Sequence, residues 1–232
     1  KMENSGNLTL TGFKYVDDAK KVMNINKAAV QFTNTRINLN ELDLTTGKTD
    51  MKVNGVLENF YGFIFRNQEL KGNFNMQSNQ FAVADFMSAE APKGDEKPKE
   101  ELKIPAYLNC TLTAKANTVL YDNLTLKDVS GKLIIKDQKV VLENIKTSIF
   151  NGNIGVNGFV STKEKVPTFN MDLDMKAVDI AQTFTQLDML KKIAPIAGII
   201  NGKINTAIKV SGNLDAKEMT PNLNSISGSL NN

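Results

Sequence analysis

Apolar and polar residues alternate along much of this chain with the period of a β-strand. From Val166 to Lys176 it reads V-P-T-F-N-M-D-L-D-M-K, with Phe169, Met171, Leu173 and Met175 on one side and Asn170, Asp172, Asp174 and Lys176 on the other. Successive side chains of a strand point to opposite faces, so one face turns from water while the other stays wet. The same pattern places Leu108, Cys110, Leu112, Ala114 and Ala116 opposite Asn109, Thr111, Thr113, Lys115 and Asn117. Ile204, Thr206, Ile208 and Val210 alternate in turn with Asn205, Ala207, Lys209 and Ser211. The pattern predicts a protein made mostly of one-sided sheet.

Two halves of the chain resemble each other. A shift of 103 positions superposes Ile37, Leu39, Leu42, Met51, Val53, Asn54 and Gly55 on Val140, Leu142, Ile145, Ile154, Val156, Asn157 and Gly158. After a four-residue change in loop length, Phe74, Met76, Ser78, Phe81 and Ala82 fall on Leu173, Met175, Ala177, Ile180 and Ala181. The expected unit is a meander of strands followed by a short helical or irregular turn, extending one sheet shared with its neighbour. The expected fold is mainly β: a curved antiparallel meander sheet built from two related repeats, with one or two short covering helices. Residues 1–87 form the first repeat and 104–232 the second. Between them, 88–103 reads S-A-E-A-P-K-G-D-E-K-P-K-E-E-L-K, a composition too polar to offset chain entropy, expected to be a flexible charged linker or loop.

Turn residues at Thr46-Gly47-Lys48, Lys136-Asp137-Gln138-Lys139, Asn151-Gly152 and Thr162-Lys163-Glu164-Lys165 predict hairpins. Asn54-Gly55 and Asn157-Gly158 run straight into further apolar residues, which favours bulges that bend a strand instead of reversing it. The best helical pattern spans 180–197, where Ile180, Phe184, Leu187, Leu190 and Ile193 or Ala194 recur at spacings of three and four. Asp179 stands as its N-cap, and Pro195 and Gly198 limit its end. Such a helix beside a one-sided sheet covers part of the core, or else rests on a membrane or gates a cavity.

Composition narrows the chemistry. In 232 residues, 41% are apolar and 23% charged, an ordinary balance for a folded globular protein. The formal charge of +3 comes from scattered residues, with Arg36 and Arg66 the only arginines, so nucleic acid is not an expected partner. The chain has no histidine and one cysteine, which removes the commonest general base, the commonest zinc ligand and any intramolecular disulfide. Cys110 falls in an apolar slot and reads as a buried, inert thiol. Asp172 and Asp174 lie on the polar face with Asn170 and Lys176, where solvation is their expected role. Gly152, Gly155 and Gly158 do not open a helix, and neither Asp17-Asp18 nor Asp95-Glu96 has calcium-loop spacing. No catalytic residue, metal site or cofactor is expected, and the chain is read as a non-enzyme. It holds no run of the roughly 18 apolar residues needed to cross a bilayer and no signal-like opening.

The segment from Leu124 to Val160, L-T-L-K-D-V-S-G-K-L-I-I-K-D-Q-K-V-V-L-E-N-I-K-T-S-I-F-N-G-N-I-G-V-N-G-F-V, resembles the AsmA family of bacterial envelope proteins. Asp128, Val129, Gly131, Asp137, Leu142, Ile145, Phe150, Gly152 and Gly158 follow the family's pattern of strand, hairpin and glycine-containing strand. Val178-Asp179-Ile180, then Ile200 to Val210 with Gly202 and Gly212, then Ser225-Ile226-Ser227-Gly228 continue it over about the last 110 residues. The resemblance implies a parent protein attached to the inner membrane by a helix upstream of this chain and projecting into the periplasm. It also implies an apolar β-groove that handles phospholipid or another acyl-chain lipid between membranes, or supports outer-membrane assembly with other envelope proteins. The hydrophilic 88–103 segment departs from a groove wall. Candidates for the groove are Phe74, Met76, Leu108, Leu112, Leu142, Ile154, Val156, Phe169, Met171, Leu173, Met175, Ile208 and Val210, each of which also reads as ordinary core. The rival reading is a structural or protein-binding β-module with a closed core, recruiting partners through an exposed sheet edge.

Overall fold

In a computed structural model the chain forms one sheet of 12 strands whose spatial order is the order of the sequence. The structure describes residues 5–16, 21–86, 101–186, 200–217 and 219–231. The strands are β1 (Gly6–Val16), β2 (Val22–Phe32), β3 (Arg36–Thr46), β4 (Thr49–Glu58), β5 (Leu70–Ala82), β6 (Leu108–Tyr121), β7 (Leu124–Lys136), β8 (Lys139–Ile149), β9 (Gly152–Ser161), β10 (Thr168–Asp179), β11 (Lys203–Asn213) and β12 (Ser227–Asn231). Helix α1 (Phe60–Arg66) joins β4 to β5, and helix α2 (Ile180–Gln186) follows β10. Strands β1 and β12 each have a single neighbour, so the sheet is open.

The sequence repeat is also a structural one. Strands β3 and β4 shifted by 103 positions fall on β8 and β9 end for end, and β1 and β2 shifted likewise fall within β6 and β7. Neighbours pair antiparallel throughout except at the join, where β5 and β6 run parallel from Leu70 opposite Leu108 to Ala82 opposite Leu120. That parallel step departs from a pure antiparallel meander. Of the charged segment, 88–100 lies outside the described residues. Its end is held in place: Leu102 donates its N–H to the Ala216 carbonyl, and Ile104 donates to Thr162 Oγ1 at 2.8 Å.

Each expected hairpin forms. Asp137 and Gln138 sit at φ 53° and 58°, and Phe150 and Asn151 at 52° and 57°, the left-handed pair that a tight two-residue turn needs to match strand twist. Strands β4 and β9 pass through Gly55 and Gly158 without reversing. Opposite them the register slips between Leu39 and Leu42 and again between Leu142 and Ile145, so each repeat carries the same bulge in the same place. Gly158 sits at φ 155°, where a Cβ would run into the Asn170 carbonyl and Met171. Bulges add twist and bend a strand, and paired ones at equivalent sites curl the sheet consistently.

One cluster of buried residues sits where β8 and β10 end, Ile149, Phe150, Met175 and Val178 packing with Leu124, Leu126, Ile154, Ile204 and Ile208 around them. Helix α2 starts here. Asp179 Oδ1 accepts the Gln182 N–H at 2.8 Å and so acts as the expected N-cap. The helix is described through Gln186, and the rest of the expected helix, 187–197, lies outside the described residues.

Candidate functional site

Residues directly opposite one another in paired strands share a face. One row runs Leu8, Val30, Leu39, Gly55, Phe74, Leu112, Leu133, Leu142, Gly158, Met171, Val210 and Gly228, crossing all 12 strands without a polar side chain. A second row joins Ile145, Val156, Leu173 and Ile208, and Ile154 lies opposite Met175. By this register all of Phe74, Met76, Leu108, Leu112, Leu142, Ile154, Val156, Phe169, Met171, Leu173, Met175, Ile208 and Val210 stand on the same face. Phe169 and Met175, near the two ends of β10, are buried, and the others are half-buried.

That half-burial differs sharply between faces. In β5, Lys71, Asn73, Asn75 and Gln77 are exposed, whereas Leu70, Gly72, Phe74 and Met76 are half-covered; in β10, Asn170, Asp172, Asp174 and Lys176 are exposed, whereas Met171 and Leu173 are not. A flat single layer would expose both faces alike, so side chains crowding one another on the apolar side are what a sheet curled toward that side produces. Among the described residues no second layer lies over this face, because α1 and α2 sit at opposite strand ends. One shallow recess of about 370 Å³ is bordered by the polar residues Asp50, Lys52, Asn79 and Lys115. Among the described residues the apolar face is therefore left uncovered.

On the polar side, the described carboxylates of mid-sheet are taken up in ion pairs and backbone contacts. Asp172 and Asp174 pair with Lys209 at 3.8 Å and Lys176 at 3.2 Å, in solvent, as Lys132 does with Glu143 at 3.6 Å. Exposed pairs of this kind each stabilise by about 0–1 kcal/mol. Asp50 is structural: its carboxylate accepts the N–H groups of Asn79 at 2.9 Å and Gln80 at 2.8 Å, just beyond the last β4–β5 pair. Asp85 does the same for the β3–β4 turn, accepting from the Lys48 N–H at 2.9 Å and the Thr49 hydroxyl at 2.7 Å. No cluster of three His, Cys, Asp or Glu able to hold a metal occurs among the described residues, and no described helix is long and apolar enough to cross a membrane.

Cys110 stands on the apolar face between Gly72 and Ile135 and is half-buried, more open than its slot suggested. Desolvation pushes its thiol above the ordinary value, partly opposed by a hydrogen bond with the Asn109 backbone. A protonated thiol is a poor nucleophile. No family model, curated protein or solved structure matches the chain.

Sequence reasoning missed two sets of residues. Leu8, Leu10, Phe13, Ile25, Val30, Leu39, Leu42 and Leu44 extend the same face through the first three strands. Their signal was present in the alternation N-L-T-L-T at the start of β1. The other set is α1, where Tyr61, Ile64 and Phe65 are exposed.

Proposed function

We propose that this chain contributes an apolar β-groove that takes up the acyl chains of phospholipid, as part of an envelope protein acting on the periplasmic side of the bacterial inner membrane. One observation carries the reading: an unbroken apolar face crosses the sheet with no described layer over it. Exposing that much apolar surface to water is unfavourable, and a guest chain recovers about 0.8 kcal/mol for each methylene it buries there. Twelve strands spaced about 4.8 Å apart give a track of roughly 53 Å, against about 15 Å for one leaflet's hydrocarbon. Headgroups at the open side stay in water and need no dedicated ligands. The resemblance of 124–160 to the AsmA family points the same way.

The test is organic extraction of the purified chain followed by mass spectrometry of the extract. Phospholipid in stoichiometric amount is expected, and a lipid-free chain rejects the groove. One feature favours the second reading, a protein-binding module: β1 presents a free edge of 11 residues without proline, the geometry that accepts an added strand. Under that reading the chain carries no lipid and a bound partner protects β1 amides from hydrogen exchange.

A further inference from the structure

Helix α1 has its amphipathic pattern turned outward. Tyr61, Ile64 and Phe65, at i, i+3 and i+4, form one stripe and are exposed by 40%, 56% and 72%, while Gly62 faces inward and is buried. The helix is rigidly seated nonetheless. The Phe63 ring packs on Tyr107 at 4.9 Å, Phe60 and Tyr61 lie 4.3 Å apart, and Asn59 donates its side-chain amide to the Glu69 carbonyl at 2.9 Å. Asn59 and Asn67 bracket it in left-handed conformations, φ 61° and 56°.

The fold does not require this helix. In the second repeat the equivalent strands β9 and β10 are joined by the short loop Thr162–Pro167, with no helix. The molecule thus contains its own control, and α1 is an addition that exposes apolar rings. By register, the β4–β5, β9–β10 and pre-β6 connections all lie at the same end of the ribbon. Three of them place an exposed apolar side chain next to a cation: Phe65 beside Arg66, Leu102 beside Lys103, and Val166 beside Lys165. Acidic residues share the rim, with Glu101 lying 3.7 Å from Lys103 and Glu164 exposed in the β9–β10 loop. The β4–β5 and β9–β10 connections stand five strand spacings, roughly 24 Å along the sheet, apart. Apolar tips with adjacent cations, spread along a rim and not gathered in a pocket, match the boundary between acyl chains and anionic headgroups.

We propose that this end of the ribbon docks on a bilayer surface containing anionic phospholipid, with Tyr61, Ile64 and Phe65 entering the headgroup boundary and Arg66, Lys103 and Lys165 facing phosphates. Docking there lays one long side of the apolar face along the membrane, and so deepens the groove reading while remaining separable from it. The experiment is flotation with vesicles of equal parts phosphatidylcholine and phosphatidylglycerol, compared with phosphatidylcholine alone. The chain floats with the mixed vesicles, and a variant carrying Ile64→Ser and Phe65→Ser partitions at least roughly tenfold more weakly with an unchanged circular dichroism spectrum. Tyr121→Ser, an exposed ring at the opposite end, floats as the parent does. The proposal is overturned if the parent chain stays unbound, if the double variant floats equally well, or if Tyr121→Ser loses as much. Extracted lipid is measured on the same samples: flotation without groove lipid rejects the groove and leaves the docking rim standing, whereas groove lipid without flotation does the reverse.

Discussion

Replacing Leu173 with glutamate asks of the fold whether its apolar face is open. Leu173 sits mid-strand in β10, flanked by Val156 and Ile208 on the neighbouring strands and by Met171 and Met175 two residues away on its own. It is half-buried. Complete burial of a leucine stabilises by about 1.5–3 kcal/mol, so losing half of that costs about 1 kcal/mol. The introduced carboxylate keeps access to water on the open side and adds only a few tenths for poorer strand propensity. For a chain of this size about 1 kcal/mol lowers Tm by roughly 2–4 °C. Under a covering layer the same carboxylate would be desolvated without a partner, costing about 3–5 kcal/mol. Thermal and urea unfolding followed by circular dichroism separates the two. Lipid extracted from the variant should also fall, because a charge in mid-track disrupts the dry path. A loss of about 3 kcal/mol or more refutes the open face, and undiminished lipid refutes its role as the track.

Further outcomes follow from individual contacts. Gly158→Ala forces a side chain into a backbone region reserved for glycine and against the Asn170 carbonyl; a loss of about 1–3 kcal/mol in urea unfolding is expected. Asp50→Ala strands the N–H groups of Asn79 and Gln80 and should cost about 1–3 kcal/mol, with faster hydrogen exchange at those two amides. Cys110 should alkylate more slowly in the folded chain than in urea, and bound lipid should slow it further, which mass spectrometry reads directly. Because folding favours the neutral thiol, its stabilising contribution is complete below the ordinary thiol range and is lost as pH rises through the raised folded value, visible as a falling urea midpoint in alkaline buffer.

The strands were legible because a one-sided sheet writes period two into the sequence, and Phe169 to Met175 or Leu108 to Ala116 carry it without a break. That β4 and β9 run on through their glycines was legible for a related reason, since Asn54-Gly55 and Asn157-Gly158 interrupt the alternation without the polar residues a reversal needs; the extra residue of each bulge lies instead on the facing strand, β3 or β8. Helix α1 was not legible. F-Y-G-F-I-F-R is built of residues that favour strands, and its stripe of Tyr61, Ile64 and Phe65 faces water, so the usual rule that apolar stripes point to a core misleads. What fixes it as a helix is a pair of left-handed asparagines and a ring contact between Phe63 and Tyr107, 44 residues apart in the chain. The half-open state of Cys110 was equally hidden, because alternation says which face a side chain takes but not whether anything covers that face.

The parallel pairing of β5 with β6 follows from the repeat once its strands are counted. A meander of five strands begins at one end of the ribbon and finishes at the other. For the next unit to present the same residues on the same face, its first strand must start where the earlier first strand did, so it has to run parallel to its neighbour. A parallel join cannot be made by a tight turn. Strand β5, 13 residues long, spans about 43 Å, and residues 83–107 connect its far end to the near end of β6. The second unit ends differently. Strand β11 pairs antiparallel with β10, at Leu173 opposite Ile208, so β11 and β12 do not begin a third copy in phase with the first two. An odd-numbered repeat thus extends one continuous apolar face, which is interrupted neither at the join nor at β11.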